Sequence, residues 1–291
     1  MKWRRLRRNR NVEIRRGGGG PAIPLGGIVG IPAALIVGVV LLIANLAGEA
    51  GFEGFDDVLD RLDPAAEPAE GPPLSGTDPQ GQLVDFLSFV HDDLQQYWLG
   101  VFSDANLAYE PASLVLFDSA TRSGCGLSTS DIGPHYCPID RDIYLDLDFF
   151  RELRSSFGAP GDFAQAYVLA HEVGHHVQNL LGVMSDVRSA QQQDPDRANE
   201  LSVRVELQAD CFAGVWGFST FERDLLEEGD LEEGLRAAAA VGDDHIQERA
   251  TGTTNPETWT HGSSEQRVRW FQRGFNTGDP NACDTFSTDD L

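Results

Sequence analysis

Residues 17–48 carry no charge, and residues 28–47 within them are rich in Ile, Leu, Val and Ala. About twenty such residues cross a bilayer. The stretch therefore divides whatever folds before it from whatever folds after it. Before it stand Lys2, Arg4, Arg5, Arg7, Arg8, Arg10, Arg15 and Arg16, with only Glu13 against them. Basic flanks stay in the cytoplasm, so the remainder is expected outside. Pro32 lies in the first half of the span, where it is tolerated. A cleaved signal peptide is the competing reading, but the apolar stretch is long and lacks a clean small-x-small site. The expected organisation is a basic cytoplasmic tail at 1–16, a single transmembrane anchor at 17–48, a flexible acidic Pro/Gly linker at 49–80 and one domain at 81–291.

Charge follows the same division. Eight basic residues against one acidic give the first sixteen positions +7; with a total of −24, the other residues carry −31. So acidic a body does not seek nucleic acid. Calcium binding by surface carboxylates lacks an EF-hand-like spacing. The lipid bilayer is an expected partner through the N-terminal helix; the oligomeric state stays open. Cys125, Cys137, Cys211 and Cys283 make an even set, as expected of two disulfides in an oxidising compartment. Cys125–Cys137 would close a Gly/Ser-rich loop, and Cys211–Cys283 would tie a helix to the C-terminal tail. Spacing alone leaves the pairing open. Four cysteines on a structural zinc is the rival reading, against which no C-x-x-C pair is present.

The chemistry is concentrated at His171-Glu172-Val173-Gly174-His175. Phe163, Tyr167, Ala170, Val173, Val177, Leu180 and Leu181 recur around it at helical spacing. Asp162 with Gln165 fits a cap and its capping-box partner, and Gly182 fits a helix end. Residues four apart on a helix share a face, so the two imidazoles point the same way and can grip one zinc ion. Glu172 can reach a zinc-bound water and take its proton. The motif predicts metal-assisted hydrolysis, most often of a peptide bond. His176 points about 100° away from His175 and is not expected to be a ligand.

A catalytic zinc site has three protein ligands. The next helical segment, near 197–219, offers Glu206 and Asp210 four apart. Glu206 can bind the metal, and Asp210 can fix the tautomer of a ligating histidine. Asn199-Glu200 imitates the third-ligand pair of thermolysin-like enzymes, but Val203-Arg204 stands where that pattern expects Ser-Asp. Glu206 is preferred to Glu200 because it has an acidic helical partner at the right offset. The alternative is that Glu200, Arg204 and Glu206 form surface charge pairs. His261, in Thr260-His261-Gly262, is either a donor to the oxyanion of amide hydrolysis or part of the turn opening a helix at 265–275. His91, His135 and His245 read as ordinary surface or core residues.

Three pieces together resemble the bacterial neutral zinc metallopeptidase family: residues 171–179, Glu206-Leu207-Gln208-Ala209-Asp210 and Thr260-His261-Gly262. Cys137-Pro138, residues 157–164 and residues 278–283 add to the likeness, which covers roughly 118–286. More distantly, Glu206-x-x-Ala209-Asp210 and Thr260-His261…Arg267 resemble CaaX-processing membrane peptidases, which have Pro where Gly262 stands. The family resemblance implies a zincin-type fold, one zinc ion on His171, His175 and Glu206, and Glu172 as base.

The expected fold is α+β and mainly helical. Strands are expected at 112–117 and 143–147, and helices near 83–102, from Asp162 to a cap at Gly182, and near 197–219, 232–248 and 265–275. The edge of the 143–147 strand is expected to pair with an extended peptide or protein substrate. Two other functions remain open: a zinc-stabilised binding module without catalysis, and a zinc hydrolase of a non-peptide amide.

Overall fold

The computed structural model describes residues 1–3, 11–15 and 79–291. Helix α1, Pro79–Asp104, opens on proline, which lacks only a donor the first turn cannot use. Val84, Leu87, Val90, Leu94 and Trp98 recur every three or four residues along it and are all buried. The chain then builds a four-stranded sheet in the order β1–β2–β6–β5. These strands are Val12–Arg15, Ser113–Phe117, Asp142–Asp146 and His135–Cys137. β1, β2 and β6 run parallel, and β5 runs antiparallel to β6. Leu114 to Phe117 are buried without alternation, as in strands covered on both faces. β3, Ala120–Ser123, and β4, Gly126–Thr129, form a separate hairpin. A disulfide from Cys125 to Cys137 ties that hairpin to β5.

Helices make up the rest. After the short α2, Phe149–Ser155, come α3, Asp162–Leu180, and α4, Val183–Gln193. Then follow α5, Ala198–Glu222, α6, Asp230–Ala240, α7, Asp243–Thr251, and α8, Ser264–Thr277. α3 and α5 cross in the centre, and α8 lies along α5. Two close approaches set these crossings. A Cβ on Gly174 of α3 would stand 3.0 Å from the backbone of Ala209 on α5, and one on Gly214 of α5 would collide with the carbonyl of Phe271 on α8. A second disulfide, Cys211–Cys283, fastens α5 to the C-terminal segment. The fold is thus mainly helical α+β with small sheets.

Several expectations change. The 143–147 strand is not an edge: β6 pairs with β2 on one side and β5 on the other, leaving β5 as the outer strand. The single helix expected at 232–248 is two, broken at Gly242, where a side chain would strike Ser264. Asp162 does not cap α3, which begins after Gly161 at φ 126°. Its carboxylate instead takes the Met1 amino group at 2.9 Å, with Glu227 and Asp230 completing the enclosure at 2.9 and 3.0 Å. Leu181, expected in the buried stripe, is 46% exposed.

The expected anchor at 17–48 and nearly all of the linker lie outside the described residues, and no described helix is long and apolar enough to cross a membrane. The described part of the basic tail packs on the domain rather than standing apart. β1 lies in its sheet, and Trp3 meets Phe86 edge-on. The Arg15 carbonyl accepts from the Asp118 backbone N–H at 3.3 Å, and the Gln80 amide donates to the Asp118 carboxylate at 2.9 Å.

Candidate metal centre

α3 presents His171, Glu172 and His175 to a cleft, and α5 presents Glu206 opposite them. The α3–α5 approach at Gly174 and Ala209 is what brings the two faces within reach. Nε2 of His171 stands 3.1 Å from one Glu206 oxygen, and Nε2 of His175 stands 3.5 Å from the other. The three ligand atoms lie within 4.8 Å of one another. All four side chains are buried.

Both imidazoles are held by their far nitrogen. His171 Nδ1–H donates to Asp210 at 2.8 Å, and His175 Nδ1–H donates to the Gln178 side-chain oxygen at 2.8 Å. Each Nε2 is thereby turned toward Glu206, the orientation that lets both imidazoles and the carboxylate meet at one metal ion. Two nitrogens and a carboxylate oxygen suit zinc, and one ion fits this donor set. Gln178 is itself fixed, donating to the Val205 carbonyl at 2.7 Å and to Gln208 at 3.0 Å.

Asp210 is fully buried and anchors a larger network. It accepts from Tyr167 at 2.5 Å and from Arg267 Nε and Nη2 at 2.8 and 3.0 Å. Arg267 also donates to the Val241 carbonyl at 3.0 Å. Burial alone would raise the Asp210 carboxyl, but Arg267 and His171 outweigh it and hold the group below its usual range. Burial disfavours charge on His171, but Asp210 and Glu206 prevail and hold its imidazole up at about 10 in the metal-free arrangement. Burial likewise opposes ionisation of Glu206, and His175 and His171 reverse it, keeping the carboxyl well below its usual range.

His261 reaches the same cleft from the loop before α8. Asp243 positions it. One carboxylate oxygen accepts the backbone N–H groups of Thr260, His261 and Gly262 at 2.7, 2.7 and 3.1 Å, and the other faces His261 Nδ1 at 3.1 Å. Glu200 goes elsewhere. It is 41% exposed, paired with Arg197 and Arg204 at 3.0 and 2.9 Å. His176 points away from the centre, bonding the Glu110 carbonyl at 2.7 Å and Tyr136 Oη at 3.1 Å. His91 is a core residue, whereas His135 lines the cleft, with its Nδ1 on the Gly133 carbonyl and its Nε2 on Ser128.

Comparison with known proteins gives the family. The sequence profile of the family described as "Putative neutral zinc metallopeptidase" matches residues 1–286. "Uncharacterized protein YpfJ" of Escherichia coli K12 is 43% identical over 289 residues, covering 98% of this chain and 99% of that one. "Uncharacterized protein Rv2575" of Mycobacterium tuberculosis H37Rv is 50% identical over 194 residues, 63% of this chain and 65% of that one. No solved structure matches. A profile spanning nearly the whole sequence settles its kinship: the chain belongs to the neutral zinc metallopeptidase family.

Proposed function

We propose that this protein is a zinc-dependent endopeptidase. The observation that carries the reading is the convergence of His171, His175 and Glu206, with Asp210 and Gln178 holding the far nitrogens so that both Nε2 atoms face Glu206. Zinc held there supplies a Lewis acid and lowers the pKa of a coordinated water toward about 7. Glu172, buried in the same cleft wall, takes the water's proton and passes it to the leaving amine. His261, held through Nδ1 by Asp243, presents Nε2 to the cleft, where the carbonyl oxygen gathers charge. A non-catalytic zinc module has no use for a buried glutamate beside the ligands, which favours the enzyme over that alternative. Attachment to a bilayer through residues 17–48 belongs to the same proposal and rests on their composition. The two disulfides favour an oxidising compartment.

A peptide-library digest with wild type and Glu172→Gln side by side tests the activity. The variant is expected to keep its zinc and lose about 100-fold or more in rate, the scale of a lost general base. Equal turnover by the two proteins refutes the role given to Glu172.

A further inference from the structure

The cleft over the metal centre departs from the character of the chain that builds it. The chain carries 46 acidic residues against 22 lysines and arginines. Among the described residues lining the cleft, the only carboxylates are Glu172 and Glu206, both at the metal centre. Its arginines are two. Arg267 is buried and committed to Asp210, Tyr167 and the Val241 carbonyl. Arg188 is exposed and has no hydrogen bond or ion pair among the described residues.

The position of Arg188 is set by the backbone. α4 starts directly after Gly182, whose φ of 82° turns the chain out of the metal helix. Met184, Val187, Arg188 and Gln191 fall on one face of α4, and all four line the cleft. Other parts of the wall are apolar, including Pro138 and Ile139, the latter 67% exposed. An extended chain laid over the metal centre therefore meets a mostly apolar wall, a few neutral polar groups such as Gln191 and Ser202, and one guanidinium with no partner among the described residues. A guanidinium matches a carboxylate with two parallel N–H donors. The −24 charge of the whole chain repels anions elsewhere, so this is a local exception.

We propose that Arg188 is a specificity residue that pairs with a carboxylate of the bound peptide, either an acidic side chain near the scissile bond or a free C-terminus. This deepens the peptidase reading and rests on it. The pairing stabilises bound substrate and reacting substrate alike, so it acts on KM more than on kcat.

The test uses the zinc-loaded full-length protein and quenched peptides that differ only in carrying Glu, Gln or Lys at each position flanking the cleaved bond. A second set ends in a free carboxylate or an amide, which separates the two sources of the carboxylate. Wild type is expected to prefer the carboxylate peptide to its Lys or amide counterpart about tenfold in kcat/KM, carried by KM. Arg188→Ala should lose the preference, Arg188→Lys keep part of it, and Arg188→Glu invert it toward Lys. A wild type indifferent to charge, or a preference that survives in Arg188→Ala and Arg188→Glu, overturns the proposal. Zinc-loaded wild type that cleaves no peptide refutes the peptidase reading instead. Calorimetric binding of the intact Glu and Lys peptides then tests Arg188. Tighter binding of the Glu peptide, lost in Arg188→Glu, supports it; equal or absent binding overturns it.

Discussion

Replacing Asp210 with asparagine swaps one carboxylate oxygen for an amide in a site where every neighbour is a donor. Tyr167, His171 and both arms of Arg267 point at that carboxylate, and it is fully buried. The asparagine oxygen can keep some of these bonds, but its NH2 must face the others. Arg267, 3% exposed, loses its counter-ion. Breaking one partner of a buried ion pair costs about 3–5 kcal/mol. That is a large part of the roughly 5–15 kcal/mol that holds a domain folded. Urea unfolding in the presence of a chelator measures this loss without the metal. Zinc affinity, read against a competing chelator, is expected to fall about 10–100-fold as His171 loses its orienting partner. Adding Arg267→Met to Asp210→Asn should restore part of the stability but not the affinity, because the stranded charge goes while His171 stays unheld. An Asp210→Asn protein with wild-type unfolding and wild-type affinity would refute the reasoning.

Other perturbations separate other parts of the picture. Glu206→Ala should strip zinc and activity while Glu200→Ala leaves both, and metal analysis showing the reverse would move the ligand role to Glu200. Gly214→Ala should lower the chelated protein's stability by about 3 kcal/mol or prevent folding, because the new methyl group collides with the Phe271 carbonyl; an unchanged melting temperature would contradict the α5–α8 contact. His91 supplies a pH dependence. Burial pushes its imidazole down to about 4, against 6.5 in the unfolded chain. Its contribution is complete above pH 6.5 and is lost as pH falls toward 4, where the unfolded chain binds a proton that the folded one refuses. The slope from this group is at most about 1.4 kcal/mol per pH unit. Melting against pH should be flatter for His91→Leu over that window, and an identical slope would refute the assignment.

What the sequence revealed of the centre follows from helix geometry. His171, His175, Glu206 and Asp210 sit in i, i+4 pairs on two helices, and local periodicity is enough to put each pair on one face. Gln178 obeyed the same rule, three residues after His175, and was open to the same argument. Asp243 was not, because its tie to His261 joins the start of α7 to the loop before α8, eighteen residues away. Arg267 was visible only as a motif letter; its role depends on α8 lying along α5, a contact set by Gly214 of α5 against Phe271 and Gly274 of α8 against the Cys211 carbonyl. The sheet was harder still. β5 is three residues long, and the order β1–β2–β6–β5 is a matter of distant pairing that no local pattern encodes. β1 hid inside a run of arginines, where charge composition outweighed the four-residue alternation of Val12 to Arg15.

The meeting of Arg15 and Gln80 at Asp118 fixes which side of a barrier each can occupy. Two points of a chain that touch the same residue lie on the same side of any lipid sheet. Arg15 therefore lies with the cleft, on whichever side of a membrane the domain itself lies.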